Sequence, residues 1–144
     1  MAERITVTLH ELIVGLDSYA DAVLRSRYAT TFSEFQYLAT LAELGTVDIT
    51  TLAECLLLTK AAVSKRVPAL VDAGWIQTSR DPRNARRVLL SLTPRAVELV
   101  DRAGGELDRS FTEMVDDDPP IDAHGLHTAL HTLLHRISQK ERPS

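Results

Sequence analysis

Apolar residues Leu9, Leu12, Ile13, Leu16, Tyr19, Ala20, Val23 and Leu24 recur every three or four positions across residues 4–28, with charges between them. That spacing follows the period of an amphipathic helix, so one long helix is predicted there. A second should begin at Thr31, whose hydroxyl can accept from the amide of Glu34 while Glu34 reaches back. It turns Phe35, Leu38, Ala39, Leu41 and Ala42 inward and stops at Gly45. Asp48 and Thr59 are good N-caps for two shorter helices, the first carrying Leu52, Ala53 and Leu56, the second Val63, Val67 and Leu70. Gly74 ends the latter.

Beyond Gly74 the period shortens to two. Trp75 to Arg80 and Arg87 to Leu92 read as strands of a hairpin, joined by a basic tip at Asp81-Pro82-Arg83-Asn84-Ala85-Arg86. Thr93 before Pro94 opens a helix through Val97, Val100, Leu107, Phe111 and Met114. Asp116 to Pro120 should end it and cap a last helix with Ile121, Leu126, Leu130, Leu133, Leu134 and Ile137 in one stripe, before a polar tail expected to fray. The fold class is therefore mainly α with a small β-hairpin. A winged helix-turn-helix lobe spans 31–95, flanked by long N- and C-terminal dimerisation helices in 1–30 and 96–144. Those outer helices are too elongated and one-sided to bury their stripes on so small a centre, which points to a homodimer.

The 144 residues suit a single folding unit. No apolar run is long enough to span a bilayer, and the first residues lack the layout of a secretion signal, so a cytoplasmic location with no membrane partner is expected. The net charge of −4 conceals an asymmetry. Between Thr59 and Arg95, eight basic residues (Lys60, Lys65, Arg66, Arg80, Arg83, Arg86, Arg87, Arg95) face Asp72 and Asp81; eight minus two gives +6, which leaves −10 for the rest. A basic segment in an acidic chain is the footprint of a polyanion, although a solvated basic face would look the same.

Within that segment, helical spacing puts Val63, Val67 and Leu70 on one face and Ala61, Ala62, Lys65, Pro68, Ala69 and Asp72 on the other. Small residues let a helix approach base edges, Ala61 or Ala62 can touch a thymine methyl, and Lys65 can reach a guanine or a phosphate. Thr59, Lys60, Ser64 and Arg66 complete the candidate recognition helix, with Ser64 and Arg66 suited to phosphates. Arg83, Asn84, Arg86 and Arg87 are the candidate wing contacts, their arginines drawn to the minor groove of double-stranded DNA. Alanines chosen for helix propensity and a turn made soluble by arginine are the plainer readings.

The run Leu52-Ala53-Glu54, Thr59-Lys60-Ala61-Ala62-Val63-Ser64-Lys65, Leu70, Gly74-Trp75-Ile76, Arg80-Asp81-Pro82-Arg83-Asn84-Ala85-Arg86-Arg87 and Ser91-Leu92-Thr93-Pro94 resembles the signature of the MarR family. The resemblance implies a dimeric regulator on a pseudo-palindromic operator, usually a repressor, released in many members by a small molecule or by cysteine oxidation. The chain departs from the pattern at three places. Asn84 stands where the family commonly has the aspartate preceding the wing arginine, here Arg86. Pro68 removes an amide inside the recognition helix and should kink it. Leu57 replaces a frequent glycine in the turn between the two short helices.

Other features carry less. Tyr19, Tyr28, Phe32 and Tyr37, with Trp75, are candidates to line an effector pocket, against ordinary core packing. His127, His131 and His135 recur every four residues, a spacing at which neighbours can share a metal ion. The lack of a nearby third ligand weighs against that, and the edge of a dimer contact is the alternative. Cys55, the single cysteine, excludes an intrachain disulfide and reads as an inert thiol rather than a peroxide sensor. No cofactor is implied. The absence of nucleophile-elbow, P-loop, dinucleotide and zinc-protease motifs argues against an enzyme. The remaining alternative is a helix-turn-helix that binds only protein, as an antirepressor or assembly partner would.

Overall fold

The computed structural model describes residues 4–141; the first three residues and the end of the polar tail lie outside them. The elements run α1 (Ile5–Arg27), α2 (Phe32–Leu44), β1 (Val47–Asp48), α3 (Ile49–Leu56), α4 (Lys60–Asp72), β2 (Ile76–Asp81), β3 (Asn84–Leu92), α5 (Pro94–Asp116) and α6 (Ala123–Lys140). The fold is mainly helical with a small antiparallel sheet in the order β1-β3-β2. Two compact units are distinguished, one ending at Gly105 and one beginning at Glu106, so the cut falls within α5.

In the first unit, the caps expected from the sequence are made. Thr31 Oγ1 accepts from the Glu34 amide at 3.0 Å, Asp48 Oδ1 from Thr51 at 2.9 Å, and Thr59 Oγ1 from Ala62 at 3.1 Å. The Glu34 carboxylate, expected to complete a capping box on Thr31, instead accepts from the hydroxyl of Thr30 at 2.8 Å. Thr30 is buried, so its hydroxyl needs a partner and takes the carboxylate. Thr93 Oγ1 accepts from the Ala96 amide at 3.2 Å and caps α5 ahead of Pro94. The core of this unit gathers Leu24 of α1, Tyr37, Leu38 and Leu41 of α2, Leu52 of α3, Val63 of α4, Ile76 of β2 and Leu90 of β3, all essentially inaccessible to water.

The hairpin is longer than its sequence suggests. β3 starts at Asn84 rather than Arg87 and β2 reaches Asp81, with an irregularity in register between Arg80 and Asp81. Short polar side chains satisfy the backbone at the tip and let pairing continue through residues that read as loop. The two-residue strand β1 pairs Val47 with Leu90 and Asp48 with Leu89. Two residues show no alternation, so that strand had no signature to read.

In the second unit, α6 is capped not by the Asp116–Pro120 segment but by Asp122, whose Oδ1 accepts from the Gly125 amide at 3.1 Å. Ile121, expected in the last helix, precedes it. Val115 is buried, but α6 buries no residue.

Candidate nucleic-acid interface

Helix α4 has two distinct faces. Val63 is fully buried and Leu70 nearly so, whereas Lys60, Ala61, Ser64, Lys65, Pro68 and Ala69 are exposed and Ala62 is half-buried. Beneath the buried face, the Tyr37 hydroxyl donates to the Val63 carbonyl at 3.2 Å. Burial pushes the Tyr37 phenol above its ordinary pKa, so it stays protonated and able to donate. The α4 assignment is continuous across Pro68, although the amide that would reach the Ser64 carbonyl is absent from that residue. Arg66, grouped with the phosphate-facing residues on sequence, turns back onto α2. Its guanidinium lies 5.0 Å from the Tyr37 ring centroid and donates to Ser33 Oγ at 3.1 Å.

Leu57 makes the turn between α3 and α4 in the left-handed conformation that glycine would adopt without strain, at φ 56°. Its amide reaches the carbonyls of Ala53 and Glu54, and its side chain is 91% exposed. The departure from the family pattern is thus accommodated by a strained leucine, and the tight turn is kept.

The wing is held by polar ties. Arg87, grouped on sequence with the DNA contacts, spends its guanidinium internally: Nε donates to Asp48 at 2.8 Å and Nη1 to Asp81 at 3.0 Å. The two carboxylates hold Arg87 above the usual arginine pKa. Asp48 therefore caps α3 with one oxygen and grips the wing with the other. Hydrogen bonds from Thr51, and then Arg87, hold its pKa down at about 2. Asp81 is lowered as well, first by the Arg83 amide that donates to it at 2.9 Å and then by Arg87. Asn84 Oδ1 accepts from the Arg86 amide at 3.2 Å, so it orders the backbone of Arg86 without orienting its guanidinium. Arg80 Nη1 closes the tip on the Ala85 carbonyl at 2.7 Å. Arg83 and Arg86 remain exposed. Arg86 borders a cavity of about 310 Å³ with Asp48, Ile49, Thr50, Asn84 and Arg87 between the wing and the start of α3.

The four candidate pocket aromatics differ in placement. Tyr37 belongs to the core, Tyr19 is 41% exposed, and the Phe32 amide ties the start of α2 to Asp21 at 2.9 Å. That hydrogen bond, with Arg25, lowers the Asp21 pKa. Tyr28 lines a cavity of about 200 Å³ with Trp75, Arg95, Glu98, Leu99 and Arg102. Arg95 lies 4.0 Å from the Trp75 ring centroid, a cation–π stack. The α5 contribution was missed on sequence, although Arg95, Glu98, Leu99 and Arg102 recur at one-turn spacing and so share a face. His127 and His131 are in ring contact on α6, and Cys55 is an exposed free thiol. Among the described residues no helix is long and apolar enough to cross a membrane, and no three His, Cys, Asp or Glu side chains gather as a metal site.

Comparison with known proteins places this architecture. The chain is similar to the transcriptional regulator BldR from Sulfolobus solfataricus, with 21% identity and a TM-score of 0.78 over 92% of this chain and 93% of that one. It is similar to FabT from Streptococcus pneumoniae in complex with DNA, with 17% identity and a TM-score of 0.80 over 96% and 98% of the two chains. A mutant MarR from E. coli complexed with operator DNA matches at 22% identity and a TM-score of 0.68, over 92% and 94%. No curated protein matches the sequence significantly. Residues 31–88, from the cap of α2 to the middle of β3, match the sequence model of the MarR family. That match covers the winged helix-turn-helix, and the chain as a whole has the fold of those solved regulators.

Proposed function

We propose that this chain is a regulator of the MarR family, a sequence-specific, ligand-responsive repressor that binds a pseudo-palindromic operator as a homodimer and performs no catalysis. The observation that carries the reading is the division of α4: a buried face fixes the helix, while a face of small residues and two lysines is free for the major groove. Thr59, Lys60, Ala61, Ala62, Ser64, Lys65 and Ala69 supply that face, with Lys65 the residue long enough to discriminate bases. Arg83 and Arg86 reach for the minor groove. Arg66 and Arg87 act one step back, holding α4 on α2 and the wing on α3. The solved FabT and mutant MarR structures similar to this chain contain DNA, which supports the same partner here.

Residues 31–95 are the DNA-binding lobe in this reading, and 1–30 with 96–144 form the dimerisation lobe. Exposed apolar residues on α1 (Ile5, Leu12, Ile13) and, separately, on α6 (Leu134, Ile137) support a second copy as their cover. The effector site is assigned to the Tyr28 and Trp75 cavity, whose arginines suit an anionic small molecule.

Selecting bound fragments from a pool of genomic DNA tests the reading. A discrete, two-fold-related motif is expected. Arg86→Ala should weaken binding and reduce the salt slope by about one ion per wing, whereas Lys65→Ala should also alter the preferred sequence. Unaltered binding by both variants would remove the proposed docking, and no duplex binding even at low salt would favour a protein partner instead.

A further inference from the structure

The proposed DNA-binding surface makes no use of α6, which carries histidines at positions 124, 127, 131 and 135, all of them exposed in the single chain. His127 and His131 stand one helical turn apart, their ring centroids separated by 4.4 Å and their planes inclined at 78°. A zinc–imidazole bond is about 2.0–2.1 Å long and the ring centroid lies about 1.2 Å behind the bonded nitrogen. Two imidazoles sharing one ion at about 90–110° therefore have centroids roughly 4.5–5.3 Å apart. The observed pair lies just below that spacing, so the two rings are close enough to share an ion once their nitrogens turn toward it. Both ligands come from consecutive turns of one helix, so the backbone has little to rearrange on binding.

We propose that His127 and His131 chelate one late first-row divalent cation per chain, of the Cu²⁺, Ni²⁺ or Zn²⁺ class. Imidazole nitrogen selects these ions over Mg²⁺, Ca²⁺ and Mn²⁺, which prefer oxygen. The nearest capping carboxylate, Asp122, is engaged at the start of α6 by the Gly125 amide. With no third protein ligand gathered there among the described residues, water fills the other positions. Such an open two-nitrogen site follows the general affinity order, with Cu²⁺ held most tightly, rather than the tetrahedral selectivity of a closed zinc site. The proposal does not rest on DNA binding.

Calorimetric titration of the full chain with NiCl₂ at neutral pH tests it. One ion per chain is expected, with no binding of MgCl₂. Losing even an outer-shell partner typically costs a metal site about 10–100-fold in affinity, so His127→Gln and His131→Gln should each weaken binding by at least about tenfold. His135→Gln should leave it unchanged. Both ligand positions are exposed, so the variants should keep the helical circular-dichroism signal of the parent. A readout on the unmodified chain uses substoichiometric Ni²⁺ and imidazole proton resonances: His127 and His131 should broaden before His10, His124 and His135. Equal broadening of all five histidines, half an ion per chain, an equal loss in His135→Gln, or no loss in the two ligand variants would overturn the proposal.

Discussion

Helix α4 buries Val63 and Leu70 beneath its exposed face and receives the Tyr37 hydroxyl from below. The outer half of the wing, by contrast, buries nothing between Arg83 and Arg87 and is tied by Arg87 to Asp48 and Asp81. One element is positioned by apolar packing and the other by charge and short hydrogen bonds. Packing is directionless but dense, and it fixes a helix whatever the pH or salt. Ion pairs at a half-exposed site hold more weakly and remain open to protons and counterions. The comparison therefore predicts that α4 fails through lost volume and the wing through lost charge.

The largest effect should come from Leu70→Ala. Removing a nearly buried leucine side chain should destabilise the chain by about 2–5 kcal/mol, read by urea unfolding, because both transfer energy and packing are lost. Arg86→Ala, exposed at the wing, should leave the unfolding midpoint where it was while weakening DNA binding. A comparable loss of stability in both variants would break the distinction. Tyr37→Phe should cost about 1 kcal/mol, the net value of one hydrogen bond whose acceptor already serves its own helix. A negligible change would mean that the ring alone, and not the hydroxyl, supports α4.

The packed half was largely legible in the sequence and the polar half was not. Val63, Val67 and Leu70 announced an inward face by spacing alone, and Thr31, Asp48 and Thr59 announced their helices because a cap is a local bond between residues three apart. The grip of Arg87 on Asp48 joins residues 39 positions apart, and nothing in either neighbourhood marks it. Arg87 consequently reads as a DNA contact, one more basic residue in a basic run. The contacts of Arg66 are hidden in the same way, since its partners Ser33 and Tyr37 lie on another helix. For the pocket aromatics the limit is related: hydrophobic pattern reveals that Tyr37 faces inward, not whether a cavity or a core awaits it.

A smaller effect, of opposite sign, is expected at Leu57. A left-handed leucine costs about 1–2 kcal/mol in strain, while glycine carries an entropic cost of about 0.5–1 kcal/mol. Leu57→Gly should therefore stabilise the chain by about 0–1.5 kcal/mol, centred below about 1 kcal/mol, with little packing to lose at a side chain so exposed. A destabilised variant would show that the exposed leucine makes a contact in the folded protein that outweighs its strain.

The smallest effect should be the most diagnostic of how the wing is held. Asparagine at position 48 can still accept from the Thr51 amide and cap α3, so Asp48→Asn removes chiefly the charge offered to Arg87. The native carboxylate has its pKa lowered from 3.8 to about 2, by Thr51 first and Arg87 after it. A depressed carboxylate pKa contributes stability that is complete above the unfolded value and disappears as pH falls through the folded one. The parent should therefore exceed Asp48→Asn in thermal midpoint by a constant margin above pH 4, and that margin should close between about pH 4 and pH 2. Asp81 titrates in both proteins and largely cancels in the difference. High salt should narrow the same margin at neutral pH, whereas the Leu70→Ala deficit should not shrink with it. A margin that persists at pH 2, or a salt response shared equally by both sites, would mean that Asp48 holds the wing through its cap geometry and not through its charge.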